Sequence, residues 1–220
     1  MALDDVTDRL ERFAGAMAEA AVPYALVRGQ AVAVWVATRE LAAVRTTKDV
    51  DVLLKRADLP AARAAALTIE MDYFEVMGVG MFLERKDPNP RHAVHLVWAG
   101  EKVRPEYPLP SPLVEQSETI DPGFPVVTIR SLVCMKLMAN RDHDRVHLRD
   151  MIEVGLVNRD FLDDLPQKLS AVLSVTTFWT FCASSRHLWS AAMESKLVAG
   201  PVPRVWRCCR SSPESRTRIP

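Results

Sequence analysis

The first sixty residues switch twice between a helical and a strand-like pattern of hydrophobic positions. From Leu3 to Ala21, apolar side chains recur at the three- and four-residue spacing of an amphipathic helix. Pro23 ends this helix, and the apolar run YALVRG (24–29) predicts a short buried strand. The segment QAVAVWVATRELAAV (30–44) predicts a second helix, and RTTKDVDVLL (45–54) predicts a second strand.

The next forty or so residues predict one helix followed by short strands. Asp58 and Pro60 are helix-start signals in front of the alanine-rich segment 61–71. Beyond it the pattern shortens to strand length, and the predicted strands are Phe74–Met77, MFLER (81–85) and HAVHLVWAG (92–100).

The remaining chain predicts a long loop and then a run of helices. Residues 104–125 are rich in proline and have no sustained period, which indicates a loop or strap. Helices are predicted over 129–141 and 142–156, with a weaker helical pattern over 159–173. Strands that alternate with helices and are followed by a helical run predict an α/β (α+β) fold, a mixed sheet flanked by helices with a C-terminal helical cap.

Composition adds little to this picture except at the chain end. The chain is 49% hydrophobic and 25% charged with a formal net charge of zero, so nothing indicates a membrane partner and we expect a cytoplasmic protein. We predict three segments: an α/β core over 1–110, a loop and helical cap over 111–174, and a divergent tail over 175–220.

The predicted tail, residues 175–220, differs from the rest in charge. It holds seven Lys or Arg residues and two Glu residues, a net charge of +5. Three interpretations remain open: a divergent helix with a basic disordered end, a nucleic-acid-binding tail, or a chain end that did not evolve with the core.

Candidate chemistry begins with two aspartates at the start of the second predicted strand. Side chains at positions i and i+2 of a strand share a face, so Asp49 and Asp51 lie on one side, with Cα atoms roughly 7 Å apart. Two carboxylates at this spacing can share one or two Mg²⁺ ions, the arrangement used for phosphoryl displacement. The alternative is a pair of solvated charges at a strand end.

The segment upstream adds a second element to this candidate site. The order strand, Gly29, helix predicts a tight turn into a helix N-terminus, where backbone N–H groups can hold phosphate. The hydroxyl of Thr47 can orient the carboxylates that follow it, although threonine is also a common strand residue.

These motifs together resemble a known family. The segment 24–54 is similar to the opening of the minimal nucleotidyltransferases of the DNA polymerase-β-like superfamily, of the bacterial stand-alone and abortive-infection toxin type. Their R-x-T-x-D-h-D strand is matched by Arg45, Thr47, Asp49 and Asp51. Their helical K-L-x-A and R-D-x-D segment is matched by Lys136, Arg141, Asp142, Asp144 and Asp150. The resemblance covers roughly residues 20 to 157.

The resemblance implies an activity and a set of roles. It implies an enzyme that moves a nucleoside monophosphate from an NTP to an acceptor hydroxyl or phosphate and releases pyrophosphate. Asp49 and Asp51 would hold two Mg²⁺ ions, and Thr47 would orient the two carboxylates. The turn at Gly29 and Gln30 would hold the triphosphate. Lys136 would neutralise phosphate charge, or be an ordinary exposed helix lysine.

Two departures from the family pattern concern this site. Gln30 stands where the family has Gly or Ser, and its side chain would crowd the approach of a phosphate. The family has a third carboxylate on a later strand, and in this chain His95 stands near that position. His95 could be the base for the acceptor or a hydrogen-bonded structural residue. Glu84 and Glu101 are the other candidates for the third acid. His143 and His147, four residues apart, are either a metal pair or part of a solvated helix face.

Three functions remain open at this stage. The first is a nucleotidyltransferase acting on tRNA, a protein or a small molecule, with a cognate antitoxin as a further partner. The second is a catalytically weakened module that binds nucleotide or a partner protein. The third is an antitoxin-like or structural protein that interacts through its helical cap.

Overall fold

The computed structural model describes residues 2–45, 47–121 and 123–158, together with Phe161, Leu165, Pro166 and Leu169, with only the backbone described for residues 2–5. These residues form five α-helices and seven β-strands. The helices are α1 (Ala2–Glu19), α2 (Arg28–Ala37), α3 (Leu59–Thr68), α4 (Ile129–Ala139) and α5 (Asp142–Glu153). The strands are β1 (Tyr24–Leu26), β2 (Val50–Leu54), β3 (Met71–Val76), β4 (Val79–Glu84), β5 (Val94–Trp98), β6 (Ser117–Ile120) and β7 (Phe124–Val127).

All seven strands belong to one mixed sheet in the order β3-β4-β5-β2-β1-β7-β6. The pairs β2–β5 and β1–β7 are parallel, and the other neighbouring pairs are antiparallel. Together with the helices, this sheet confirms the predicted mixed α/β fold. It places β2, the strand that carries Asp51, in the middle of the sheet with β5 and β1 on either side.

One face of the sheet is covered by α1 and α3, which pack against each other. Phe13 of α1 is fully buried and meets the ring of Tyr24 in β1 at 5.9 Å and the ring of Phe82 in β4 at 5.6 Å. Val52 of β2 is also fully buried. The apolar stripe predicted for the first helix therefore forms part of the main core.

The helices α2, α4 and α5 pack against one another. The indole Nε1 of Trp35 in α2 donates a hydrogen bond of 2.9 Å to the carbonyl of Val127, so α2 is joined to the last strand. Leu132 and Leu137 of α4 and Met151 of α5 are buried. The helical cap predicted from the sequence is present, with both cap helices close to their predicted bounds.

Two elements are shorter than predicted. The helix predicted over 30–44 begins earlier, at Arg28, and ends at Ala37, where the Thr38 hydroxyl donates to the Trp35 carbonyl and competes with further helix. The strand predicted over 45–54 is limited to Val50–Leu54, because its backbone partners on β1 and β5 reach no further than Val50.

The prediction of a proline-rich loop over 104–125 was wrong for the last part of this segment. A hairpin of β6 and β7 falls there, and β7 pairs in parallel with β1 through Val126 and Leu26. The sheet therefore draws strands from both sides of the predicted boundary at residue 110, and the three-segment division stays a prediction. The helix predicted over 159–173 and the tail 175–220 lie almost wholly outside the described residues. Among the helices that are described, none is long and apolar enough to cross a membrane.

Candidate functional site

Asp51 is a buried carboxylate in the central strand. Only 5% of the residue is exposed, and its Oδ1 accepts a 2.7 Å hydrogen bond from Nη1 of Arg28. Burial raises the pKa of Asp51 above its ordinary value, Arg28 and His95 act in the opposite direction, and Asp49 adds to the increase. Its single direct partner therefore offsets only part of the cost of burying this carboxylate.

Asp49 lies one residue before β2 and is exposed to solvent. Its negative charge contributes to the raised pKa of Asp51, so the two carboxylates lie close enough to interact. One is enclosed by the sheet and the other faces water. The structure thus brings the two predicted metal ligands together at the start of β2, although Asp49 is not itself part of the strand.

His95 lies directly beside Asp51 on the neighbouring parallel strand β5, where the two residues are register partners. It is half-buried. The two alternative third acids are engaged with arginines: Glu84 accepts from Arg12 at 2.5 Å, and Glu101 from Arg56 at 2.6 Å. Of the three candidates, His95 is the one that the sheet aligns with Asp51.

The turn into α2 differs from the one predicted at Gly29. Arg28 has the left-handed backbone conformation, with φ of 55°, and Gly29 follows within the first turn of the helix. Gly29 is needed for a different reason: a Cβ there would lie 2.9 Å from Oγ1 of Thr47. Gln30, predicted to crowd a phosphate, is half-buried in the same helical turn.

The N-terminus of α2 has no side-chain cap. Val27 is the N-cap residue and makes no side-chain hydrogen bond to the first turn. The first N–H groups of a helix have no partner within the helix, and they favour anions. Because Gly29 touches Thr47, this uncapped end lies beside the segment that leads to Asp49.

Lys136 of α4 lies in a buried ion cluster instead of standing free. Its Nζ is 2.9 Å from Oδ1 of Asp144 and 2.9 Å from Nδ1 of His147. Burial lowers the pKa of Lys136, while Asp144 acts to raise it. The structure excludes the exposed-lysine alternative, since the residue is only 3% exposed. His147 contacts Lys136 through Nδ1. Its contact with His143 is between the two rings, whose centroids lie 6.2 Å apart.

Asp144 holds this cluster together at the start of α5. Besides Lys136, it accepts a 2.8 Å hydrogen bond from Nε of Arg141 and a 3.3 Å bond from the Arg141 backbone N–H. Burial acts to raise its pKa, but Arg141 and Lys136 outweigh it, and the pKa of Asp144 is lowered. Burial and the charge of Lys136 lower the pKa of His147 to about 4.

A second ion pair joins the two sequence motifs. Nε of Arg45 donates to Oδ2 of Asp150 at 2.6 Å, and Nη2 donates to Oδ1 at 3.1 Å. This bidentate pair holds the segment in front of the carboxylates against α5. Asp150 and Asp144 are therefore both ion-paired carboxylates.

A cavity of about 130 Å³ lies between the irregular segment 103–111 and the cap helices. Its lining comprises Arg28, Val103, Arg104, Tyr107, Leu109, Ser111, Met135, Lys136, Met138, Ala139, Arg141 and Asp144. Arg28 belongs to this lining and also contacts Asp51, so the cavity and the carboxylates share one side chain.

Arg28 is the main site residue that the sequence did not reveal. Its partner Asp51 is 23 positions away, and no spacing rule connects them. One signal was present: Arg28 directly follows the buried run YALV and precedes Gly29, the point at which the strand must turn into the helix. A long cation there can reach back over the end of the neighbouring strand.

The donor set at this edge suits a magnesium ion together with a phosphate substrate. Mg²⁺ is usually bound through one or two carboxylates, with waters and substrate phosphates completing its shell. Asp49 and Asp51 supply two carboxylates, although Arg28 holds one oxygen of Asp51. Within the part of the chain that the structure describes, no group of three His, Cys, Asp or Glu side chains could hold a metal ion.

Comparison with solved structures finds the antibiotic-resistance factor ANT(2'')-Ia twice. A solution structure of it, reported to reveal substrate-regulated conformation dynamics, is 12% identical with a TM-score of 0.45, covering 89% of this chain and 98% of that chain. A crystal structure of it in complex with adenylyl-2''-tobramycin is 10% identical with a TM-score of 0.40, covering 84% and 98%. No family model and no curated protein matches the chain.

Proposed function

We propose that this chain is a magnesium-dependent nucleotidyltransferase, which transfers a nucleoside monophosphate from an NTP to an acceptor. The observation that carries the proposal is the pairing of Asp49 and Asp51 at the end of a central strand, beside the uncapped N-terminus of α2. A carboxylate pair next to a set of free backbone N–H groups suits a substrate made of phosphates and their counter-ions.

Asp49 and Asp51 would hold the metal, since carboxylate oxygens are its preferred protein ligands. Bound there, Mg²⁺ would neutralise phosphate charge and stabilise the developing charge in an in-line displacement. The burial of Asp51 and the exposure of Asp49 fit this division of labour, because one ligand is fixed in the sheet and the other is accessible to incoming substrate.

The phosphates of the NTP would lie at the start of α2. Gly29 and Gln30 are in the first helical turn, and Thr47 packs against Gly29. Lys136 would act on phosphate charge from a distance, because Asp144 and His147 hold its ammonium group. The chemistry of phosphoryl transfer is largely positioning and charge stabilisation, so these groups suffice without a nucleophile on the protein.

His95 is the proposed base for the acceptor hydroxyl. It is the register partner of Asp51 and is half-buried, so a proton on the attacking oxygen can pass to its ring. We expect His95→Asn to lower kcat by roughly 100-fold, with a smaller change in the KM for the NTP. An unchanged kcat would remove His95 from the mechanism.

A catalytically weakened module that binds nucleotide or a partner protein is the second candidate function. Two observations favour it: Arg28 occupies an oxygen of Asp51, and no third acid joins the carboxylates in the residues that are described. Such a module would still bind NTP and Mg²⁺ but would transfer nothing.

The class of acceptor follows from the family resemblance alone. We propose RNA, above all tRNA, with a protein hydroxyl or a small molecule as the alternatives, and a cognate antitoxin as a partner. Incubation of the protein with each labelled NTP, Mg²⁺ and total RNA or cell lysate separates these outcomes. Label in RNA or in protein names the acceptor, and binding without label supports the weakened module.

The test of the proposal itself is a thermal shift. Mg²⁺ together with an NTP should raise Tm, and the double variant Asp49→Asn plus Asp51→Asn should abolish the increase. The matched control is Glu118→Gln plus Asp121→Asn on the β6–β7 hairpin, which removes two charges away from the carboxylates. The absence of any metal-dependent shift with any of the four NTPs would overturn the transferase and the nucleotide-binding form of the weakened module.

A further inference from the structure

The cavity beside the cap helices, which we call the strap cavity, has more cationic than anionic side chains in its lining. Four of its lining residues are positively charged and one, Asp144, is negatively charged, so the lining carries a net charge of +3. Arg104 and Arg141 stand on opposite walls, one on the irregular segment and one at the start of α5. A lining with this charge favours an anionic ligand.

Ser111 gives an independent indication that a ligand binds there. The residue is 4% exposed and lines the strap cavity, and its buried Oγ has no hydrogen-bond partner in the structure. Leaving a buried hydroxyl unpaired destabilises the folded protein, because the group has lost its hydrogen bonds to water. An acceptor oxygen supplied by a ligand in the cavity would remove this cost, and the hydroxyl can also accept from a ligand.

The wall that carries Ser111 is fixed at its base. The Ser111 N–H donates to the Glu101 carbonyl at 2.8 Å, and the Gly100 N–H donates to the Pro112 carbonyl at 3.2 Å. Within the wall, the Tyr107 N–H donates to the Arg104 carbonyl at 3.1 Å. Backbone hydrogen bonds therefore fix the position of Ser111 in this wall.

The arginines retain donors that can reach a ligand. Arg28 uses Nη1 for Asp51, and Arg141 uses Nε for Asp144, while a guanidinium group has five N–H donors. The volume of about 130 Å³ is well below the roughly 300 Å³ at which pockets enclose drug-sized molecules. It suits one charged group of a ligand better than an entire nucleotide.

We propose that the strap cavity binds a phosphate group of a nucleoside phosphate through Ser111, Arg104 and Arg141. Arg28 then connects this phosphate site to Asp51, since its guanidinium group borders both. The inference rests on the proposed function and adds a second anion site to it. Two sources share this chemistry: the polyphosphate of a free nucleotide and the terminal phosphate of an RNA acceptor.

The test measures phosphate binding without metal or turnover. The probes are inorganic phosphate, ATP and a 5′-phosphorylated RNA oligonucleotide, each titrated at one fixed salt concentration without Mg²⁺. The variants are Ser111→Ala and Arg104→Gln; the Arg104 side chain is largely exposed, so its replacement leaves the fold intact. Arg91→Gln, on an exposed residue outside the cavity lining, makes the same charge change as a control.

We expect each cavity variant to weaken phosphate binding about tenfold, with the control unchanged. If ATP alone loses affinity in the variants, the nucleotide is the source; if the RNA alone does, the acceptor is. Absence of phosphate binding by the wild-type chain, or equal binding by all variants, would overturn the inference. Repeating the titration with Asp49→Asn plus Asp51→Asn separates the two proposals, because the strap cavity should still bind phosphate when nucleotidyl transfer is abolished.

Discussion

Two buried aspartates, Asp51 and Asp144, show how different environments give the same side chain different properties. Both are at most 5% exposed, yet the pKa of Asp51 is raised and that of Asp144 is lowered. Asp144 is bound by Lys136 and Arg141, whereas Asp51 has the single guanidinium of Arg28. Burial alone therefore does not set the direction of the pKa shift, because the cationic donors beside a carboxylate oppose the effect of burial.

Asp144 belongs to an ion cluster that stabilises the fold, whereas the burial of the Asp51 carboxylate destabilises it. The cluster around Asp144 joins α4 to α5 and satisfies its charges within the protein. Asp51, in the central strand, has a single hydrogen-bonded cation, which is the state expected of a group that binds something else.

The largest effect is expected when Asp144 is replaced. In Asp144→Ala the ammonium of Lys136 stays buried without its partner, and we expect the free energy of unfolding to fall by about 3–5 kcal/mol. Urea denaturation measures this loss. Asp142→Ala, two residues earlier in α5 and fully exposed, should change stability by less than about 0.5 kcal/mol. Equal effects of the two variants would show that the cluster does not hold the cap.

Replacing Asp51 should instead increase the free energy of unfolding near neutral pH. Because its pKa is raised in the folded state, the stability from its protonated form is complete below the unfolded pKa and is lost as pH rises through the folded pKa. Asn needs no ionisation, so Asp51→Asn should gain about 1–2 kcal/mol over the wild type near neutral pH.

Melting curves between pH 4 and pH 8 check this result. The advantage of Asp51→Asn should be small at the acid end and grow toward neutral pH. Arg28 loses its partner in this variant, but its side chain is 37% exposed and can be hydrated. A variant less stable than the wild type at pH 8 would mean that the ion pair with Arg28 outweighs the burial of the carboxylate.

The cap should be sensitive to mild acid through His147. Its pKa is lowered to about 4 in the folded protein, so the unfolded chain binds a proton first and stability falls as pH decreases from about 6.5 toward 4. Allowing for solvent screening, the loss is about 1 kcal/mol at pH 5.

His147→Asn is the matched variant for this effect, because the Asn Oδ1 can accept from Lys136 where Nδ1 of the imidazole does now. The Tm of the variant should be nearly flat from pH 7 to pH 5, while the wild type declines. Parallel declines would place the acid sensitivity elsewhere in the chain. His92→Asn, on an exposed histidine paired with Asp87, serves as the control.

The smallest effect concerns the contact between Gly29 and Thr47. Gly29→Ala places a Cβ within 2.9 Å of the Thr47 Oγ1, which offsets the gain of alanine in a helix and should cost about 0.5–1 kcal/mol net. Adding Thr47→Ala should restore most of the loss. If Gly29→Ala alone is neutral by urea denaturation, the carboxylate edge is looser than the packing indicates.

The sequence predicted those features whose signal lies within one element. The helical spacing of apolar residues predicted α1, α4 and α5, and the alternating valines and aspartates around Asp51 predicted the central strand. The β6–β7 hairpin was missed because its strands are short, polar on one side and interrupted by Pro125, so no period marks them.

The position of the carboxylate pair was predictable from the sequence, whereas its surroundings were not. Asp49 and Asp51 were identified from their spacing, but the partners of Lys136 lie 8 and 11 positions away on another helix. Their meeting depends on how α4 packs against α5, which no local pattern contains. The pairing of Arg28 with Asp51 likewise follows from the turn that joins β1 to α2.

The left-handed backbone of Arg28 also limits how this position can change through mutation. At φ of 55° most side chains are strained, and glycine is the residue that adopts the angle most readily. Every arginine codon is one base substitution from a glycine codon. Arg28→Gly would therefore remove the backbone strain and also the hydrogen bond to Asp51. A single base substitution can thus convert a carboxylate that is bound by arginine into one that is free to bind a ligand.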